Sequence, residues 1–375
     1  MSDAAAITPI VMPKWGLSMK EGTVMDWLVE EGTDIAVGTP ILDVETDKIA
    51  NAVEAPDAGL LRRKVAQPGE TLPVKALLGV MARPEVPEVD LDAYIAAYVV
   101  PAAASDDEDA EPAYAHVEVD GLRIRHARRG DFAPGAVPVL FIHGFGGDLD
   151  NWLFNLDAAA EHSPVIALDL PGHGQSDARV PEASIAGLAA FVLRFMDALD
   201  VERVHAVGHS MGGAIAAQMA LSAPQRVASV ALVNSAGLGD EINSGYTEGF
   251  AAAQSRRDLK PVLEQLFADP TLVSRQMVDD VLKYKRLDGV DAVLAQLGAA
   301  LFGGGRQAEL PARELESTGK PVLVVWGRED RIIPAAHAGN APAGATVQVF
   351  DATGHMTMME RANEVNALLK THVGS

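Results

Sequence analysis

From about residue 115 onward, continuous apolar runs rich in valine recur along the chain, at 139–143, 165–169, 204–208, 230–234, 322–326 and 346–350. Runs that are apolar at every position, rather than at alternate ones, suit strands covered on both faces, as in a parallel sheet. Helical stretches such as 185–199 and 214–221 lie between them. Strand and helix in alternation predict an α/β architecture with a mostly parallel sheet. Residues 238–312 break the rhythm and read as helical. An insertion there covers the carboxyl ends of the strands, where α/β folds hold their sites.

The first 82 residues obey a different pattern. Short strands are predicted at 7–13, 22–28, 41–45, 49–54 and 60–65, with turns at Glu31-Gly32, Pro56-Asp57-Ala58-Gly59 and Gln67-Pro68-Gly69-Glu70. This is a small all-β domain. Residues 83–114 then carry nine acidic residues and a single arginine, including Ser105-Asp106-Asp107-Glu108-Asp109. Such a stretch reads as a linker extended by its own charge, with an end-to-end distance of roughly 30 Å if it behaves as a coil. Leu91, Ile95 and Tyr98 are spaced for one short helix inside it. The chain is therefore expected to be multidomain: a β domain at 1–82, a linker at 83–114 and an α/β domain at 115–375, with a cap at about 238–312.

A formal net charge of −22 argues against nucleic-acid and anionic-membrane partners. There are no cysteines, so disulfides and thiolate metal sites are excluded, and no metal is expected. The N-terminus lacks the features of a signal peptide, and no apolar run reaches the roughly 18 residues of a membrane span. A cytoplasmic protein is expected.

Within the β domain, Glu45-Thr46-Asp47-Lys48-Ile49 lies between two strands of similar length, so a tight hairpin would present Asp47-Lys48 at its tip. An ordinary surface lysine would sit equally well in a turn, but the neighbouring residues argue for more. With Met12-Pro13 before it and Glu54-Ala55-Pro56 and Gly59 after it, the segment resembles the lipoyl domains of 2-oxo acid and acetoin dehydrogenase complexes over about residues 8–82. Biotinyl domains share the fold but usually carry methionine on both sides of the lysine, where this chain has Asp47 and Ile49. The resemblance implies lipoate attached covalently to Lys48.

In the larger domain, Gly208-His209-Ser210-Met211-Gly212 follows a buried strand and opens a helix. G-x-S-x-G in that setting is a nucleophile elbow, whose small residues permit the strained turn that lifts the serine hydroxyl from the sheet. A serine needs a base, and the base an orienting acid. Asp330 follows the strand at 322–326 and leads an Asp-x-x-x-Pro segment ending at Pro334; Glu329 is the rival acid. His355 follows the strand at 346–350, whereas His209 beside the nucleophile reads as a structural neighbour. Oxyanion donors are expected from the backbone of Phe145, in His143-Gly144-Phe145-Gly146-Gly147, and of Met211. With Asp169-Leu170-Pro171-Gly172-His173-Gly174-Gln175-Ser176, these segments resemble the α/β-hydrolase family from about residue 115 to 373. That resemblance indicates fold and triad, not substrate.

The combination resembles the acetyltransferase (E2) component of bacterial acetoin dehydrogenase complexes. It implies transfer of acetyl from dihydrolipoyl-Lys48 to coenzyme A, beside a thiamine-dependent E1 and a dihydrolipoyl dehydrogenase, in a homo-oligomeric assembly. Ser210 either forms an acetyl-enzyme or merely assists while His355 deprotonates the thiol of coenzyme A. Arg256-Arg257 and Lys283-Tyr284-Lys285-Arg286 in the cap are either contacts for the phosphates of coenzyme A or a solvated helix face. Competing classes are a lipoyl-tethered thioesterase or carboxylesterase, and a carrier scaffold with a relic hydrolase domain. Ordinary lipoyl-bearing acyltransferases carry a catalytic His-x-x-x-Asp-Gly; His116-Val117-Glu118-Val119-Asp120-Gly121 matches those letters but reads as a hairpin with an Asp120-Gly121 turn. The peripheral-subunit-binding domain usual in such proteins has no counterpart here.

Overall fold

A computed structural model describes residues 7–13, 15, 19–46, 50–55, 57–100 and 114–374. They fall into two compact units, divided between Glu111 and Pro112. The Lys48 expectation lies outside the described residues, as do Asp47 and Ile49.

The smaller unit holds eight strands: β1 (Ile7–Val11), β2 (Glu21–Trp27), β3 (Asp34–Ile35), β4 (Pro40–Glu45), β5 (Ala50–Glu54), β6 (Gly59–Lys64), β7 (Thr71–Pro73) and β8 (Leu77–Ala82). They form two four-stranded sheets, β1-β8-β6-β3 and β5-β4-β2-β7. Val24, Ile35, Leu42, Val44, Leu61 and Leu78 pack together in its core. The β4–β5 ladder runs out to the pair Glu45 and Ala50, so four residues, with Lys48 the third, join the two strands. Beyond β8, helix α1 (Glu88–Ala97) occupies part of the stretch read as linker. Its fully buried Leu91, with Tyr94, Ile95 and Tyr98, packs against Ile7, Leu77, Val80 and Ala82. Arg62 and Arg63 both pair with Glu88, and the Tyr98 hydroxyl donates to the Lys75 carbonyl at 2.8 Å. Only the apolar stripe of this segment departs from the acidic pattern, and that stripe docks it on the β domain.

The larger unit is an eight-stranded sheet of order β16-β15-β14-β13-β11-β12-β10-β9. β9 (Ala115–Val119) and β10 (Leu122–Arg129) form an antiparallel hairpin, joined through Asp120 and Gly121 at positive φ. His116 is therefore a strand residue of that hairpin. β11 (Val139–Ile142), β12 (Val165–Leu168), β13 (Val204–His209), β14 (Val227–Val233), β15 (Val322–Gly327) and β16 (Thr346–Phe350) run parallel. Every residue of β11, β12 and β15 is buried, which is why their sequences carry no alternation. Helices α2 (Leu156–Ala160), α3 (Ile185–Ala198), α4 (Met211–Ser222), α9 (Thr357–Glu360) and α10 (Ala362–Val373) connect or follow the strands. The cap contributes α5 (Ser244–Ala252), α6 (Arg256–Leu263), α7 (Arg275–Lys285) and α8 (Val290–Phe302). Asn243, Ser255 and Ser274 cap the first three through their side chains. Among the described residues, no helix is long and apolar enough to cross a membrane.

Candidate active site

Ser210 sits between β13 and α4 with φ 53° and ψ −119°, a strained geometry for a residue with a Cβ. Glycine makes the turn possible by close approach. A Cβ at Gly208 would lie 2.2 Å from the Gly212 carbonyl oxygen, and one at Gly212 would lie 2.2 Å from the Ile142 carbonyl oxygen. Either would push the elbow off the sheet.

The late loops bring the two other predicted groups together. His355 Nδ1 lies 2.8 Å from Asp330 Oδ2. An ionised carboxylate only accepts, so the ring proton resides on Nδ1 and leaves Nε2 as a base. The other carboxylate oxygen accepts the Ile332 and Ile333 amides at 2.8 and 3.0 Å, and Asn234 Nδ2 donates to Oδ2 at 2.8 Å. Glu329 is occupied elsewhere, accepting the Thr353 amide at 2.9 Å. Ser210 and His355 line one small pocket of about 90 Å³, with Phe145, Tyr246, Phe250, Leu266 and Met356 among its walls. Phe145 thus sits at the pocket, while Met211 is fully buried at the start of α4. Neither of their amides donates to a protein acceptor among the described residues, which leaves both as available donors.

Some positions were missed by the sequence reading. Asn234 directly follows β14 at φ 43° and ties Asp330 to the Gly354 carbonyl. Leu266, in the cap, accepts the His355 amide at 2.7 Å. A Cβ on Gly354 would lie 2.6 Å from the Ala268 amide nitrogen, so glycine is what lets the cap approach this closely. His209 donates from Nε2 to the His355 carbonyl at 2.9 Å. The basic residues of the cap are largely engaged within it. Arg256 pairs with Asp279, Lys283 with Asp280, and buried Lys285 with Asp291 at 2.8 Å, while the Tyr284 hydroxyl donates to the Gly172 carbonyl.

Several histidines beside the site are buried and neutral. Burial pushes His143 and His209 well below the usual imidazole range and His173 down to about 4. The unfolded chain takes up a proton on each below pH about 6.5 and the fold does not, so the unfolded state binds more protons and stability falls as pH falls. For His173 the loss is expected to be about 1.4 kcal/mol per pH unit between about 6.5 and 4. Urea unfolding at pH 7 and pH 5 checks this: His173→Gln should lose less stability than the wild type across that interval. Parallel losses would show that the ring takes up its proton in the fold.

Two family models match the chain: one described as alpha/beta hydrolase fold, over residues 137–362, and one described as biotin-requiring enzyme, over residues 8–81. A meta-cleavage product hydrolase from Pseudomonas fluorescens shares the fold with TM-score 0.62 and 24% identity, over 69% of this chain and 97% of its own. The architecture is thus a biotin/lipoyl-type domain joined in one chain to an α/β-hydrolase fold. Two proteins named dihydrolipoyllysine-residue acetyltransferase component of acetoin cleaving system are similar along nearly the whole length. The one from Cupriavidus necator is 66% identical over 98% of both chains, and the one from Pseudomonas putida is 49% identical over 98% of this chain and 99% of its own. The chain belongs to the family of these acetoin-cleaving acetyltransferase components.

Proposed function

We propose that this protein is an acyltransferase of an acetoin-cleaving multienzyme system, moving acetyl from dihydrolipoyl-Lys48 to coenzyme A at the Ser210 site. One conjunction carries the reading: a chain similar end to end to named acetyltransferase components pairs an elbow serine with an Asp330-held histidine in a single pocket. The carrier part fits lipoate because a biotin/lipoyl-type model matches residues 8–81 and Lys48 falls in the four-residue connection after the last β4–β5 pair, Glu45 and Ala50. When loaded, that arm supplies an acetyl thioester.

His355 Nε2 takes the Ser210 proton as the hydroxyl oxygen bonds to the acetyl carbon, and the Phe145 and Met211 amides hold the oxyanion. The carbon–sulfur bond breaks, and His355 returns the proton to the departing sulfur. Coenzyme A then gives its thiol proton to His355, its sulfur bonds to the acetyl carbon, and the serine ester opens as His355 passes that proton to the Ser210 oxygen. Water would divert acetyl-Ser210 to acetate, and the apolar cap residues Phe250, Leu263, Leu266, Phe267 and Met277 around the pocket are suited to exclude it. A thiamine-dependent E1 would load the arm and a dihydrolipoyl dehydrogenase would reoxidise it.

The test mixes lipoylated protein, acetylated on its arm, with coenzyme A. Acetyl-coenzyme A is expected as the main product; acetate in its place would make the domain a hydrolase. Lys48→Arg should carry no lipoyl mass and transfer nothing from its own arm, yet still serve free acetyl-dihydrolipoamide at the wild-type rate. A lipoylated Lys48→Arg protein would move the attachment elsewhere.

A further inference from the structure

The pocket contains a phenol that the reaction outlined above leaves without a task. Tyr246 stands in the first turn of α5, where its amide meets the side-chain oxygen of Asn243 at 3.3 Å. It lines the pocket with Ser210 and His355 and is only 6% exposed. Its ring rests on Phe250, one turn on, at 5.9 Å between centroids. Phe250 in turn meets Phe145 at 6.0 Å and lies under Lys285 Nζ at 5.3 Å, so the position is firmly set. Among the described residues, the Tyr246 hydroxyl makes no hydrogen bond.

The hydroxyl is not among the fully buried unpartnered atoms, so it opens onto the pocket, where a bound group can take its hydrogen bond in place of water. Burial also raises this hydroxyl well above the ordinary phenol range, so it stays protonated and acts as a donor. The missing acceptor is then sought in whatever fills the pocket. The carbonyl oxygen already has the Phe145 and Met211 amides, and the nucleophile has His355. The sulfur, on which charge gathers when the thioester bond opens and from which it departs when the new one closes, has only the proton that His355 shuttles and no fixed donor.

We propose that the Tyr246 hydroxyl donates a hydrogen bond to the reacting sulfur in both half-reactions, first that of the dihydrolipoyl thiol and then that of coenzyme A. The phenolic proton stays on its oxygen throughout; His355 alone moves protons. The cap thereby contributes to thiol recognition as well as to water exclusion. This rests on the acetyl-Ser210 reading.

Tyr246→Phe tests it, with acetyl-dihydrolipoamide and p-nitrophenyl acetate as acetyl donors. Transfer from the thioester to coenzyme A should fall about tenfold in kcat/KM, the worth of one good hydrogen bond. Release of p-nitrophenol, whose leaving group is no thiol, should change less than about twofold on the same scale. The melting temperature should hold, since no internal hydrogen bond is removed. Equal losses on the two donors, unchanged thioester transfer, or a lowered melting temperature would each overturn the assignment. If p-nitrophenol release survives Ser210→Ala, the acetyl-Ser210 reading fails first and this one with it.

Discussion

Ser210→Ala is expected to reduce acetyl transfer to coenzyme A by about 10⁴-fold or more, and His355→Ala to match it, because the two act as one unit. The wild type should also leave a trapped acetyl group on Ser210 when coenzyme A is withheld, readable by peptide mass. The size of the serine effect separates the two routes. If His355 instead deprotonated coenzyme A for direct attack on the arm, the alanine variant would keep most of its turnover. The fold should tolerate the change: serine to alanine removes one hydroxyl and relieves nothing at φ 53°. Near-normal transfer by Ser210→Ala would therefore discard the acyl-enzyme while leaving the carrier arm in place.

Asp330→Asn is expected to lower kcat by about 10³- to 10⁴-fold with the fold retained. The argument is one of lone pairs. In the wild type, one carboxylate oxygen faces two amides and the other faces His355 Nδ1 and Asn234 Nδ2, so four donors converge on two acceptors. An amide has only one acceptor oxygen. Turned toward Ile332 and Ile333, it offers its NH₂ to His355, which must then shift its proton to Nε2 and cease to be a base. Glu329→Gln makes the control: its carboxylate serves only the neighbouring Thr353 loop, and activity should stay within a few-fold of wild type. A larger loss for Glu329→Gln than for Asp330→Asn would reverse the assignment of the acid.

The residues of the candidate site were more legible in the sequence than the groups that support them. Ser210, Asp330 and His355 each follow a valine-rich run, and chain order along a parallel sheet sets which loops meet at its carboxyl edge. Asn234 also follows such a run, but its task depends on a carboxylate 96 residues away, which no local pattern encodes. Tyr246 and Phe250 sit in the cap, where helical periodicity describes each helix without saying which pocket it faces. In the β domain, β3 and β7 have two and three residues, too short for alternation to register. β8, at Leu77–Ala82, went unread although all six of its residues are buried. The spacing of Leu91, Ile95 and Tyr98 did signal α1 within the acidic stretch, but not that its apolar residues dock on the β domain.

The internal pairing of the cap's basic groups has a consequence for the encounter with coenzyme A. Arg256, Lys283 and Lys285 already face carboxylates, and the whole molecule carries a net charge of −22. A polyanionic acceptor approaching such a surface is repelled at long range, the reverse of electrostatic steering. Added salt shortens that repulsion from about 30 Å at 0.01 M ionic strength to about 8 Å at 0.15 M. Under the acetyltransferase reading, association should therefore quicken with ionic strength, and discrimination should fall to the uncharged thiol end of the acceptor rather than to its phosphates.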